Sequence, residues 1–448
     1  MKTLYFLALM LFTGALQSAT PAMSLFPKPP GEIVLHGSLN QTCIPRNGGI
    51  VYLHMQIETR DFPLPERADR PMNIAVVLDR SGSMGDERKM EYARQAVCAL
   101  VDRLSPTDYL SIVIYDDHIE TLLPTQHVKD RSRIKRLIEG VYPRGSTNLG
   151  GGMQEGFRQI TEKFKREYIN RVILVSDGLA NQGITDPYEL NRIAGEYRNR
   201  SISLTTMGVG LDYNENLMLG LAEHGGGNYY FIESPHQLAS IFERELNGLS
   251  CVIAQNASIE LTLGRGVTLN DAIGCDRRRE GDRWLIPVGD IYTNDHREFT
   301  AELSIPEGSG TRHVASGFLK FDGGGKYRCT GFSVDIRYSD VTAEVERSRD
   351  WDTQGKVDIA VSTKRVQRAM EALDAGREED AAKELNEAKQ MLESSSALTN
   401  SPASAPAMQE QIGQLEKYSR DMKDGTADKR RVKKSMQYNN YRTQKKIE

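Results

Sequence analysis

Five side chains in the first half of this chain share a chemistry and a pattern. Asp79, Ser81 and Ser83 stand in LDRSGSM, Thr147 in RGSTNLGGG and Asp177 in LVSDG. Asp79 and Asp177 follow apolar runs with strand character, and Ser83 and Thr147 precede helical patterns. Together they offer three hydroxyls and two carboxylates, an all-oxygen donor set. Hard oxygen ligands suit Mg²⁺, Mn²⁺ or Ca²⁺ rather than zinc. If the aspartates act through water, the ion meets only neutral hydroxyls directly. It then stays electrophilic and keeps a position for a carboxylate brought by a partner.

The elements that must position these groups follow from periodicity. Residues 72–78 are apolar apart from Asn73. Met90, Ala93, Val97, Leu100 and Leu104 then recur at helical spacing over 89–104. Further apolar runs at 109–115, 171–176, 202–209 and 228–232 alternate with helical patterns at 130–140, 149–168, 187–199, 214–224 and 235–249. Continuous strands alternating with helices predict a doubly wound, mostly parallel α/β sheet. The short run 119–124 follows its neighbour too closely for a crossover and is expected to be antiparallel. In such sheets ligands bind at the carboxyl ends of strands, where all five residues fall.

The flanks read differently. Residues 32–59 and the stretch from 251 to about 340 show short alternating strands between Gly- and Asp-rich turns. The first group is too small to fold alone, so the α/β unit is expected to be inserted in one antiparallel β-sandwich. The resulting layout is a signal peptide at 1–22, N-terminal sandwich strands at 27–70, the α/β domain at 71–249, the remaining sandwich at 250–342 and a helical tail at 343–448. Within the tail, AMEALDAGREEDAAKELNEAKQML reads as two helices hinged at Asp374–Gly376, SSSALTNSPASAPA marks a linker near 394–407, and two more helices follow.

With its strand context, the D-x-S-x-S run with Thr147 and Asp177 resembles the metal-ion-dependent adhesion site of von Willebrand factor type A domains. The wider layout is similar to the inter-α-trypsin-inhibitor heavy chains and to bacterial proteins grouped with calcium-activated chloride-channel regulators. The resemblance implies that Ser81 and Ser83 are direct metal ligands, that Thr147 ligates in the partner-engaged state, and that Asp79 and Asp177 act through water. It also implies that rearrangement at the metal displaces the last helix of the domain. Asp86 and Glu87 resemble in placement a second, regulatory metal site of integrin β subunits. Their alternative role is a solvated acidic turn near a helix N-terminus.

Composition narrows the function. Lys and Arg number 57 and Asp and Glu 61 in 448 residues, a net charge of −4. That balance argues against a chain-wide nucleic-acid binder. Residues 4–16 form the apolar core of a secretory signal, which predicts a periplasmic or secreted protein. No later apolar run is long enough to span a membrane. The oxidising compartment predicts at least one disulfide among Cys43, Cys251, Cys275 and Cys329, with the pairing open. Cys98 reads as a buried thiol on a helix face. There is no GxSxG elbow, no phosphate-binding GxxxxGK[ST], and no spacing that ties His118, His127, His224 or His236 to Ser81.

The expected function is therefore non-enzymatic: exported, Mg²⁺-dependent adhesion or scaffolding through a partner's Asp or Glu carboxylate. Regulation of a channel or envelope protease complex is the alternative, and a Ser81 hydrolase a third. The basic run from Lys429 to Lys446 is expected to present a solvated face or to meet a second partner or anionic surface.

Overall fold

The computed structural model describes residues 31–60, 71–322, 328–398, 404–423 and 429–445. The expected signal peptide lies outside the described residues. The first strands are β1 (Glu32–Leu39), β2 (Cys43–Ile44) and β3 (Gly49–Arg60). The chain then enters the α/β unit: β4 (Met72–Asp79), a 3₁₀ turn over Gly82–Arg88, α1 (Lys89–Arg103), β5 (Tyr109–Tyr115), β6 (Ile119–His127), α2 (Arg131–Glu139) and α3 (Leu149–Glu162). It continues through β7 (Ile169–Ser176), α4 (Pro187–Arg198), β8 (Ser203–Val209), α5 (Glu215–Gly225), β9 (Gly226–Ile232) and α6 (Leu238–Ser250).

The sheet order is β6-β5-β4-β7-β8-β9, with only β6 antiparallel to its neighbour. Strands β4 and β7 are buried along their whole length because helices cover both faces. The glycines of α3 have a packing reason. A β-carbon on Gly156 would come within 2.4 Å of Val77 and one on Gly152 within 2.7 Å of Tyr115, so α3 lies hard against the sheet. Two boundaries differ from expectation: β6 runs on to His127, and α3 stops at Glu162.

After α6 come β10 (Val252–Leu263), β11 (Thr268–Ile273), β12 (Arg278–Glu280), β13 (Arg283–Tyr292), β14 (His296–Ile305), β15 (Thr311–Asp322), β16 (Arg328–Thr330) and β17 (Phe332–Tyr338). They build two sheets, β11-β14-β3-β1-β16 and β12-β13-β10-β15-β17-β2. The inner faces share one core, with Ile33, Leu53 and Met55 from one sheet meeting Ile259, Leu261 and Ile286 from the other. The fold is thus a mostly parallel α/β sheet inserted in a mainly antiparallel sandwich, followed by helices.

A buried ion cluster joins the two units. Arg171 of β7 is fully buried and pairs with Asp290 of β13, while Glu245 of α6 stands 3.6 Å away. Glu245 accepts further bonds from Thr205 (2.6 Å), Asn228 (2.9 Å) and Tyr230 (2.9 Å).

The tail comprises α7 (Thr342–Arg347), α8 (Trp351–Asp374), α9 (Glu378–Leu398), α10 (Ser404–Lys423) and α11 (Lys429–Lys445). The ends of the expected linker near 394–407 are helical, in α9 and α10, and residues 399–403 between them lie outside the described residues. Its small residues allow close packing: a β-carbon on Gly355 of α8 would meet Met408 at 2.3 Å and Ser404 at 3.1 Å.

The basic run also differs from a solvated face. Lys434 is 2% exposed, bonds Glu215 at 2.6 Å and the Tyr213 carbonyl at 2.7 Å, and covers the Tyr213 ring. Lys433 pairs with Glu215, Arg430 with Asp212 and Arg431 with Glu233. Tyr441 is buried in the α/β core, where its hydroxyl accepts the Tyr229 amide proton at 3.2 Å. These cations neutralise carboxylates of the α/β unit, so α11 is a structural strap.

Against the expected disulfide, Cys43, Cys251 and Cys275 are free thiols, as is Cys98, while the Cys329 side chain lies outside the described residues. Cys43 lies in β2, Cys251 caps α6, and Cys275 follows β11, so the fold holds them in separate elements. Burial raises the Cys275 thiol to about 12, which makes it a poor nucleophile.

Removing one partner of the buried junction pair leaves the other charge without compensation. Arg171→Met should therefore lower unfolding stability by about 3–5 kcal/mol in a urea titration. Arg166→Met, at an exposed arginine that pairs with Asp322, should cost no more than about 1 kcal/mol.

Candidate functional site

The parallel strands end together, and three loops meet above them. Asp79 is the last residue of β4, and Ser81 and Ser83 follow in the 3₁₀ turn. Asp177 comes one residue after β7, and Thr147 lies two residues before α3. The Asn148 side chain caps α3 by accepting from the Gly151 amide at 3.0 Å.

The five residues converge. Asp79 accepts the Ser81 amide at 2.8 Å on one oxygen and the Ser176 hydroxyl at 2.7 Å on the other. The Ser81 and Ser83 hydroxyls are 3.1 Å apart, and Ser83 donates to Asp177 at 2.8 Å. A β-carbon built on Gly178 would lie 3.3 Å from Thr147 Oγ1 and 3.6 Å from Ser83 Oγ. The two hydroxyls therefore flank the same bare stretch of backbone. Thr147 is held there by its amide, which donates to Asn181 Oδ1 at 2.9 Å.

Two groups the spacing did not reveal complete the arrangement. Lys89, the first residue of α1, is 3% exposed and places Nζ 2.7 Å from the second oxygen of Asp177. Its stem passes Gly210, whose φ of +77° keeps that wall free of a side chain. The sequence signal was faint: Lys89 shares a helix stripe with Ala93 and Ala96, which are buried.

Asp116, one residue beyond β5, is fully buried. One of its oxygens accepts from Arg80 and Arg144, each at 2.8 Å, and the other from the His118 amide at 2.7 Å. Burial alone would push this carboxyl up. The His118 amide and the two guanidiniums outweigh it and hold Asp116 below the usual carboxylate range. With Arg144 N bonded to Arg80 O (2.7 Å) and Gly82 N to Gly145 O (3.1 Å), Asp116 staples the three loops together.

Electrostatically the two site carboxylates differ. Asp177 has a lysine. Asp79 is completely buried and, among the described residues, has no cation beside it; burial raises it to about 6, and the nearby Asp177 charge adds to the shift while its hydrogen bonds oppose it. A buried carboxylate lacking a counter-charge, facing three hydroxyls, fits a bound divalent cation.

Asp86 and Glu87 are both exposed, Glu87 sits at φ 48°, and among the described residues no third His, Cys, Asp or Glu joins them within ligating reach. One such grouping is present, Asp116–Asp117–His118, but Asp116 there is committed to its arginines. Among the described residues no histidine hydrogen-bonds Ser81; His118 instead faces Asp117 at 3.0 Å. Nor, among these residues, is any helix long and apolar enough to cross a membrane.

Strand order and site geometry define a recognisable class. Residues 73–244 match the family model of the von Willebrand factor type A domain, so this stretch of the chain is a type A domain. It is 28% identical over 239 residues to the uncharacterised protein YfbK of Escherichia coli, covering 52% of this chain and 42% of that protein. It is 26% identical over 223 residues to bovine inter-alpha-trypsin inhibitor heavy chain H4, covering 47% of this chain and 24% of the relative. The chain thus spans less than half the length of either. A solved type A protein from Catenulispora acidiphila superposes with a TM-score of 0.71 at 16% identity, over 94% of this chain and 98% of the other. The ArnB paralog VWA2 from Sulfolobus acidocaldarius gives 0.59 at 19% identity, over 92% and 98%. The shared fold therefore extends through the sandwich and the tail.

The staple makes a pH prediction. The folded value of Asp116 lies below its unfolded value of about 3.9. Its contribution is therefore full above about pH 4 and is lost as pH falls through the lower folded value. Asp116→Asn should flatten the acid limb of a stability-versus-pH curve and cost about 3 kcal/mol at pH 7, where a buried ion pair is broken.

Proposed function

We propose that the chain is an exported, divalent-cation-dependent binding protein whose type A domain captures a carboxylate on a protein partner. The observation that carries this reading is the buried, cation-free carboxylate of Asp79 beside the Ser81, Ser83 and Thr147 hydroxyls. Those hydroxyls would hold Mg²⁺, with Mn²⁺ and Ca²⁺ as alternatives of the same hardness. When bound, the ion supplies a positive centre for a partner's Asp or Glu. The chain's own groups set the charge. Asp79 and Asp177 with Lys89 sum to −1, so a divalent ion leaves a net +1 that an incoming carboxylate neutralises. Hydrogen bonds from Ser81, Ser83 and Ser176 hold the carboxylates in place before any ligand arrives.

The surrounding loops suit a protein partner. Tyr142, Leu179 and Tyr188 are large apolar side chains on the segments that carry Thr147, Asp177 and α4, and all three are more than half exposed. Exposed aromatic anchors beside a polar centre are the common make-up of an interface hot spot. One residue, Cys251, separates α6 from β10, so a shift of that helix on partner engagement would be passed to the sandwich.

Titration calorimetry with MgCl₂ on the full chain tests the metal. Saturable binding is expected for wild type and none for Asp79→Ala; equal weak heats for both would sink the reading. Lys89→Met should bind Mg²⁺ roughly tenfold tighter, since Asp177 then depends on the ion alone. It should also melt lower than wild type in a chelator and recover when Mg²⁺ is added. For the partner, cross-linking and mass spectrometry in the native cell should return a protein that is lost with EDTA and weakened by Leu179→Asp, a change that leaves Mg²⁺ heats intact.

A further inference from the structure

A cavity of about 250 Å³ lies where the α/β unit, the sandwich and the tail meet. Its walls come from the ends of α4, α5 and α6, from β9 and β13, and from α11. Most of the carboxylates facing it are engaged. Asp290 pairs with Arg171, Asp295 with Arg297, and Glu245 accepts the hydroxyls of Thr205 and Tyr230.

The remaining charges do not balance. Arg198 is 9% exposed, and among the described residues it has no carboxylate partner; its guanidinium reaches only two backbone carbonyls, at 3.4 and 3.5 Å. Lys445, at the end of α11, and Arg244, an exposed residue of α6, also line the cavity with no ion pair among the described residues. Across the cavity and the wall behind it, Arg171, Arg198, Arg244, Arg297 and Lys445 face Glu223, Glu245, Asp290 and Asp295, an excess of one positive charge, and the Glu223 carboxylate has no hydrogen bond among the described residues. Burial holds both Arg198 and Lys445 below their ordinary values, as expected of cations lacking a counter-charge.

We propose that this cavity is a binding site for a small oxyanion, a carboxylate or a phosphate, with Arg198 and Lys445 as its cationic walls. A guanidinium and an ammonium are the usual recognition pair for such groups. The Tyr230, Tyr292 and Tyr441 rings complete the wall and limit the ligand to a compact one. A water takes on the order of 30 Å³, so the space holds a small anion rather than a chain. Because α6, β13 and α11 all contribute, an occupant would tie the helix that leaves the type A domain to both the sandwich and the strap. The site is separate from the proposed metal centre and does not require it.

The test uses the full chain, with thermal unfolding and calorimetry in sodium phosphate, sodium succinate and sodium chloride at equal ionic strength. A saturable rise in melting temperature with phosphate or with succinate, absent in chloride, is expected, and the anion that saturates names the source. Lys445→Gln and Arg198→Gln should each weaken that binding about tenfold or more, the loss expected for a charged hydrogen bond. Asp79→Ala should leave it unchanged. In chloride, Lys445→Gln should melt no lower than wild type, because an uncompensated buried charge costs stability. The proposal is overturned if neither anion gives a saturable response, if both glutamine variants keep the wild-type affinity, or if Lys445→Gln in chloride melts several degrees lower.

Discussion

One buried carboxylate governs the geometry above the sheet. Asp116 carries no ligand-binding duty, yet the loops after β4 and β5 and the segment leading to Thr147 are all tied to it through Arg80, Arg144 and the His118 amide. Loops are ordinarily the least constrained parts of a fold. Here a fully desolvated ion pair and backbone bonds between loops replace the order that a ladder would give. The hydroxyls of Ser81, Ser83 and Thr147 are thereby brought together before any ion is present. A preorganised donor set loses little conformational entropy on binding.

Charge is arranged by the same logic at two scales. Within the site, Asp177 is paired with Lys89, whereas Asp79 has no lysine or arginine beside it among the described residues. Between units, Arg171 with Asp290 and Glu245 holds the α/β sheet against the sandwich. Such buried pairs add little net stability over apolar packing but penalise any arrangement that separates the partners. They fix orientation, which matters for a domain whose last helix runs directly into a neighbouring sheet.

Much of this was legible in the residues. Residues 72–78 and 172–175 read as strands covered on both faces because all but Asn73 are apolar. Asp79, Ser81, Ser83 and Asp177 stood out because they follow apolar strand runs, and Thr147 because it stands just before a helix. What local pattern could not show was pairing across distance. Asp116 meets arginines 36 and 28 positions away, and Lys89 looks like the surface start of an amphipathic helix. The basic run of α11 read as solvated because its partners, Asp212, Glu215 and Glu233, lie some two hundred residues earlier. The thiols misled for another reason: compartment favours oxidation, but only geometry brings two sulfurs together.

The docking of Tyr441 against Tyr229 has a consequence for how the protein matures. The sandwich cannot close until strands on both sides of the insertion have been made, and the α/β core lacks part of its covering until the final helix arrives. A nascent chain leaving the ribosome from its N-terminus thus keeps an unfinished interior for most of its synthesis. Distant contacts of this kind slow folding. Completion is deferred until α11 seats.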